Sequence, residues 1–260
     1  MEATLAELAE DTAVHLLPRP GFDMIDRGDL VFEAAARRAS VHRIRLGDLD
    51  AAVAWTRGEC ARRRIERLEW WLGWNATPTG IAAELAARGL VPDETPVLTG
   101  MTCTSEPPTA ADVEVRRVHT LDEQLAVLEV DWDVWELTPD ERASRAARER
   151  ERFDVIGAAG TVHHYGAWLD GRPVGFGRAI DMDCGVALMG GAVLPAFRGR
   201  GVYRALVRRR WDHAVGRGTP LLVVQAGAMS APVLDGLGFV RHGDLRLFVD
   251  PGVASDHGHD

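Results

Sequence analysis

The stretch from Val186 to Ala214 constrains the fold of this 260-residue chain more than any other. An apolar run, Val186 to Leu194, stops at Pro195, and Ala196-Phe197-Arg198-Gly199-Arg200-Gly201 follows. Val202, Leu206, Val207, Trp211 and Ala214 then recur at helical spacing. The spacing predicts a buried strand, a short loop and a helix, a unit that needs a sheet with helices packed on it. A helix N-terminus leaves its first N–H groups unpaired and carries the positive end of the helix dipole. Gly199 and Gly201 remove side chains that would keep an anion away from those groups, and Arg198 and Arg200 add full charges. The segment reads as a cradle for a phosphorylated ligand.

Two common phosphate loops are excluded. A Walker loop needs Gly-Lys-Ser/Thr where this chain has Gly201-Val202-Tyr203, and a Rossmann fingerprint needs a glycine where Arg204 stands. What remains, V-x-P-x-x-R-G-x-G, resembles the phosphate loop of the GCN5-related N-acetyltransferase (GNAT) family. The flanks agree. Pro220 to Val224 reads as a short buried strand, Ser230 and Pro232 open a short helix ending at Leu237-Gly238-Phe239, and Leu245 to Val249 is a last strand. Upstream, Asp170-Gly171 is a two-residue hairpin turn, and Thr120…Glu123 and Thr138…Glu141 are capping boxes opening two helices. This order resembles the GNAT topology from about Val113 to Val249.

The resemblance implies an α/β (α+β) GNAT fold: a central mixed, mostly antiparallel sheet flanked by helices. It also implies acetyl-CoA as co-substrate and no metal. The pantetheine and thioester would lie along Val193 and Leu194, with a backbone N–H as oxyanion donor. Arg198, Gly199, Arg200, Gly201, Val202 and Tyr203 would take the pyrophosphate. Tyr203 stands where the family has Gly or Ala, so either its ring turns away from the phosphates or its hydroxyl donates to them.

Catalytic groups are less visible. The family's tyrosine near the sulfur falls at Leu234, which leaves Ser230 as the nearest hydroxyl. No carboxylate lies on the strand before the loop. Candidate bases are the segment Glu129 to Glu136, in particular Asp133 and Glu136, and the pair Asp181 and Asp183. His163 and His164 must point to opposite faces of a strand, so one could reach the cleft and titrate near neutral pH. The acidic, aromatic segment points to a cationic acceptor with an apolar part. The expected reaction is acetylation of a primary amine of a small molecule or peptide, by direct attack in a ternary complex. The alternatives are a non-catalytic acyl-CoA-binding regulatory module and a loop that holds a different phosphorylated ligand.

The first hundred residues need their own account. Met1 to Leu17 and Asp48 to Ile65 read as helices, Leu68 to Trp74 as a strand, and a further helix ends at Gly89-Leu90. This order repeats that of Val202 to Phe239 without its phosphate loop, so residues 1–104 read as a degenerate, half-GNAT-like domain. Residues 105–111 are the expected linker, within Met101 to Ala111; residues 112–251 are the acetyltransferase domain and 252–260 a tail. Trp70, Trp71 and Trp74 belong to a core or to the contact between the halves. A net charge of -9 argues against nucleic acid as partner, and the lack of a long apolar run argues against a membrane. Three scattered cysteines fit neither a disulfide framework nor a zinc site. The expected location is cytoplasmic, and the expected state a monomer or homodimer.

Overall fold

The computed structural model describes residues 3–108 and 113–253. The expected linker therefore lies partly outside the described residues, as does most of the tail. Helix α1 (Leu5–Glu10) opens the chain and is followed by a 3-10 turn, Thr12–His15, so the single helix expected over 1–17 is broken at Asp11. Strands β1 (Phe22–Asp26), β2 (Val31–Ala35) and β3 (Arg38–His42) come next, where the sequence signalled no strand. Helix α2 (Leu49–Arg63), β4 (Arg67–Leu72), α3 (Ile81–Ala87) and β5 (Val91–Cys103) complete the N-terminal half. Met101 to Cys103 are thus the end of a strand and not linker.

The C-terminal half runs β6 (Glu114–Arg117), α4 (Leu121–Val134), α5 (Pro139–Ala159), β7 (Val162–Leu169), β8 (Arg172–Asp181), β9 (Val186–Val193), α6 (Val202–Gly216), β10 (Leu222–Ala226), α7 (Ala231–Asp235) and β11 (Val240–Asp250). The β7–β8 turn has Asp170 and Gly171 at φ 51° and 75°, as an Asp-Gly hairpin requires. Thr138 and Glu141 form the expected capping box. Thr120 accepts from Glu123 N–H, but the Glu123 carboxylate turns to His119 N–H and Arg116 and leaves that box half made.

Among the described residues all these strands join one mixed sheet in the order β1-β2-β3-β4-β11-β5-β10-β9-β8-β7-β6. Only β3·β4 and β9·β10 are parallel. Each half has the same arrangement: antiparallel strands, then a parallel pair joined by a helix. The strand that should follow each parallel pair comes from the other half. β11 lies against β4, β5 lies against β10, and the two exchanged strands pair with each other.

Two cores lie on the helix-covered back of the sheet. One, under α2, centres on Phe32, Leu68, Trp70 and Leu85; the other, under α6 and α7, on Leu206, Trp211, Leu222 and Leu234. Trp70 is fully buried, whereas Trp74 covers Gly100 and Gly243, glycines that leave room for its ring on the exchanged strands. On the front, α1 covers the same strands, with Leu8 and Ala9 buried beside Met182, Ala187 and Val223.

Candidate functional site

The site forms where β9 and β10 part. They pair only at Leu222–Val186 and Val223–Ala187, and beyond these residues the strands diverge toward their C-terminal ends. Just past that point β9 carries a bulge at Met189–Gly190, with Gly190 at φ 77°. A side chain there would be strained, so the glycine is required by the backbone. Leu194 N–H donates to Val174 O (3.0 Å). Strand alternation therefore turns the N–H groups of Val193 and Gly191 into the gap. Leu194, expected to offer its backbone to the cofactor, has its N–H committed to β8 instead.

At the mouth of the gap, Pro195–Phe197 form a 3-10 turn and Gly201, at φ 81°, is the residue before α6, with no side-chain cap. Gly199 is also left-handed, at φ 75°, and open space surrounds the position of its missing Cβ. The N–H groups of Gly199 through Arg204 make no hydrogen bond to any described residue. Arg198 and Arg200 are exposed and unpaired with any described carboxylate; Arg198 Nε donates to Val193 O (3.3 Å), and Arg200 lies over Phe197. The Tyr203 ring takes the first of the two courses left open for it. It turns from the loop to pack where a Cβ of Gly191 would stand, and its hydroxyl meets the Arg210 guanidinium.

Arg210 is buried behind the bulge. Its Nη1 donates to Arg178 O (3.2 Å) and Gly190 O (3.4 Å), and Nε to Leu206 O (3.0 Å). The guanidinium thus ties α6 to the bulge from the back of the sheet. An arginine among apolar helix positions gives no sign of this in sequence.

Of the expected catalytic residues, Ser230 lies beyond the end of β10, at the same end as the loop. It does not cap α7; its hydroxyl donates to Gly227 O (3.1 Å). Leu234 is fully buried. Asp133 is exposed and paired with Arg142 (2.7 Å), which also holds Glu129 (2.9 Å), so the two carboxylates share one cation. Glu136 is exposed with φ 51°, next to the exposed Trp135. Asp183 is exposed in the β8–β9 turn, the far end of β9 from the loop, and the structure does not bring it to the gap.

Asp181 also belongs to that far end. It accepts from His163 Nε2 (3.0 Å) and His213 Nε2 (2.8 Å), with Arg217 Nε at 3.3 Å. Burial opposes its ionisation, but the hydrogen bonds and charges of the histidines hold its carboxyl well below the usual range. His164 faces front, where burial and the nearby Arg178 charge push its pKa down to about 3. Burial lowers the pKa of His163 as well, against the hydrogen bond and charge of Asp181, which raise it.

From the acidic segment, Asp131 is the residue the structure places inward. It is half-buried on α4, bonded to Trp135, and burial raises its pKa while Arg178 lowers it. The sequence marks the segment but does not single out this carboxylate.

The N-terminal half has the same gap, and it is filled. β3 and β4 pair as far as Val41–Trp70, and Arg45 re-pairs with Thr77. Between these points Glu10 accepts from Asn75 N–H (2.7 Å) and Nδ2 (2.6 Å), and Asp11 accepts from Arg43 N–H (2.9 Å). At the following helix, Asp48 caps α2 by accepting from Ala51 N–H (3.0 Å). Carboxylates of the chain itself thus accept from backbone donors in this gap and at the helix that follows it.

The comparison with known proteins bears on the region that holds this geometry, a bulged strand parting from its parallel neighbour above an open glycine-arginine loop. Residues 126–239 match the acetyltransferase (GNAT) family model. Residues 126–239 form a GNAT domain. The whole chain has the fold of a "tandem GNAT protein from the clavulanic acid biosynthesis pathway", at 15% identity and TM-score 0.63, covering 98% of this chain and 90% of that one. A GCN5-related N-acetyltransferase from Kribbella flavida is similar at 17% identity and TM-score 0.65, covering 96% and 97%. One from Sphaerobacter thermophilus is similar at 16% identity and TM-score 0.56, covering 87% and 82%. These likenesses establish a two-part GNAT fold. No curated protein sequence matches the chain. Among the described residues no helix is long and apolar enough to cross a membrane.

Proposed function

We propose that this protein is an acetyl-CoA-dependent N-acetyltransferase with one competent GNAT unit, residues 112–251, and a degenerate partner, residues 1–104. The observation that carries this reading is the run of unpaired N–H groups from Gly199 to Arg204 at the mouth of the β9–β10 gap. The loop residues Arg198 to Tyr203 fit a pyrophosphate: their backbone donors are free, the glycines leave space, and two arginines stand open beside them. The thioester supplies an activated acetyl carbon. Val193 and Gly191 N–H face the place where its oxygen would gain charge.

In the reaction, the lone pair of a neutral amine attacks the carbonyl carbon and the C–S bond breaks. The amine proton passes to a base and the thiolate takes up a proton. A thiol with a pKa of about 8.5 is a good leaving group, so no tyrosine is needed at Leu234. Asp131 is the best-placed base, since burial raises its pKa toward working pH. Ser230 remains as a hydroxyl at the loop end of the sheet and Glu136 as an exposed carboxylate, and Asp133 is occupied by Arg142.

A non-catalytic acyl-CoA-binding module is favoured by one observation, the packed Leu234 in place of a hydroxyl. One experiment separates the readings. Calorimetry should show acetyl-CoA binding to wild type and its loss in Gly201→Glu, and an amine panel should release free thiol in wild type. In that assay Asp131→Asn lowers kcat by at least tenfold, and Asp183→Asn leaves it unchanged. Binding without thiol release from any amine favours the module; no binding by wild type removes both readings.

A further inference from the structure

We propose that the acceptor is an amine that also carries a carboxylate, as an amino acid does, and that Arg178 binds that carboxylate. The inference rests on the acyl-transfer reading of the same site. Arg178 lies on β8 between Gly177 and Ala179, which pair with Gly191 and Leu188, so it stands opposite the Met189–Gly190 bulge. Its side chain faces front, under α4 and α5. Nε donates to the His164 Nε2 lone pair (3.1 Å), and burial keeps His164 neutral and able to accept. That bond fixes the plane of the guanidinium. Neither Nη makes a hydrogen bond or ion pair with any described residue, which leaves a two-pronged donor free beside the bulge.

The surrounding charges explain why a carboxylate fits. Burial weighs against the Arg178 charge more than Glu149 and Asp131 offset it. Glu149 already accepts from Gln124 Nε2 (2.7 Å), and Glu33 is taken by Arg19. Arg145 and Arg152 add further positive charge. A planar fork with both prongs unused matches the two oxygens of a carboxylate better than a point cation would. Asp131, within electrostatic reach of Arg178, opposes a doubly charged phosphate and suits the ammonium end of the same molecule. The pairing of a free guanidinium and a half-buried carboxylate is the complement of a zwitterion. It refines the cationic acceptor with an apolar part suggested by the acidic segment, in which Arg142 is already shared by Glu129 and Asp133.

The test is a calorimetric titration of matched pairs, leucine with 3-methylbutylamine, phenylalanine with 2-phenylethylamine and lysine with 1,5-diaminopentane, into full-length protein saturated with coenzyme A. At least one amino acid should bind tenfold or more tighter than its amine. Arg178→Met should abolish that preference, and Arg178→Lys should retain part of it, with acetyl-CoA affinity and thermal melting unchanged in both. Equal affinity within every pair, no binding of any amino acid, or an undiminished preference in Arg178→Met overturns the assignment. If wild type fails to bind acetyl-CoA, the acyl-transfer reading falls, and the same titration without coenzyme A still decides whether Arg178 holds a carboxylate.

Discussion

At the scale of single residues, the site depends on groups held in unfavourable surroundings for a reason that can be named. Gly190 takes a backbone conformation that L side chains rarely adopt, Arg210 is buried to hold it, and Arg178 is half-buried beside it. His42 is the N-terminal counterpart. It is buried, bonded to Ser40 Oγ (2.8 Å), and burial pushes its pKa down to about 4. Between pH 6.5 and 4 the unfolded chain binds a proton at His42 that the folded protein refuses, so this residue removes stability as pH falls through that window. At pH 5 the loss is roughly 2 kcal/mol at 1.36 kcal/mol per pH unit. Urea unfolding at pH 7.5 and pH 5 checks it: His42→Asn should lose less stability than wild type on acidification, and an identical loss would refute the role. The loop residues were legible in sequence because glycine and arginine spacing is local. Arg178 and Asp131 were not, because their meaning lies in which neighbours fail to pair with them.

At the scale of elements, helices and the Asp-Gly hairpin were readable from caps and turns, each a signal of a few adjacent residues. β1 to β3 were not. The β2–β3 turn is Ala36-Arg37, with Ala36 at φ 52°, and it lacks the glycine or asparagine that announces such turns. β1 is mostly exposed and so carries no apolar alternation. Helix α1 was readable, but its use was not: Glu10 is an ordinary acidic residue until β3 and β4 part around it. Glu10→Ala would remove the buried carboxylate that accepts from Asn75 N–H and Nδ2 and leave Arg45 paired with Asp11 alone, and should lower stability by about 1–3 kcal/mol. Thermal melting reads this directly; a change within a few tenths of a kcal/mol would mean that water replaces the carboxylate freely. Acetyl-CoA affinity should stay the same, since the C-terminal gap lies elsewhere.

At the scale of the whole molecule, the repeated order of elements was visible in sequence, but the exchange of β5 and β11 was not. Strand pairing partners leave no mark in a single chain when both candidates are apolar and antiparallel pairing suits either. The exchange makes the halves interdependent. Residues 105–260 produced alone would leave the β10 edge, Leu222–Ala226, without β5. An open apolar edge of this kind drives association. The fragment should aggregate by size-exclusion chromatography, and co-expression with residues 1–104 should restore a soluble complex. A monomeric fragment with the melting temperature of the full chain would show that the exchanged strand is dispensable.

The same exchange sets an order of events during synthesis. β4 is complete by Leu72, yet its partner β11 begins only at Val240. Domains that fold as they are made usually do so from the N-terminus, at about 5–20 residues per second. Here the N-terminal sheet keeps an unfinished edge for roughly ten to thirty seconds at that rate, until nearly the whole chain has left the ribosome. The phosphate loop and its gap, built from β5 and from β8 to β10, are complete in sequence by Ala226, so the N-terminal half is the last to close, and a chain that stalls before Val240 leaves β4 and β5 without their shared partner.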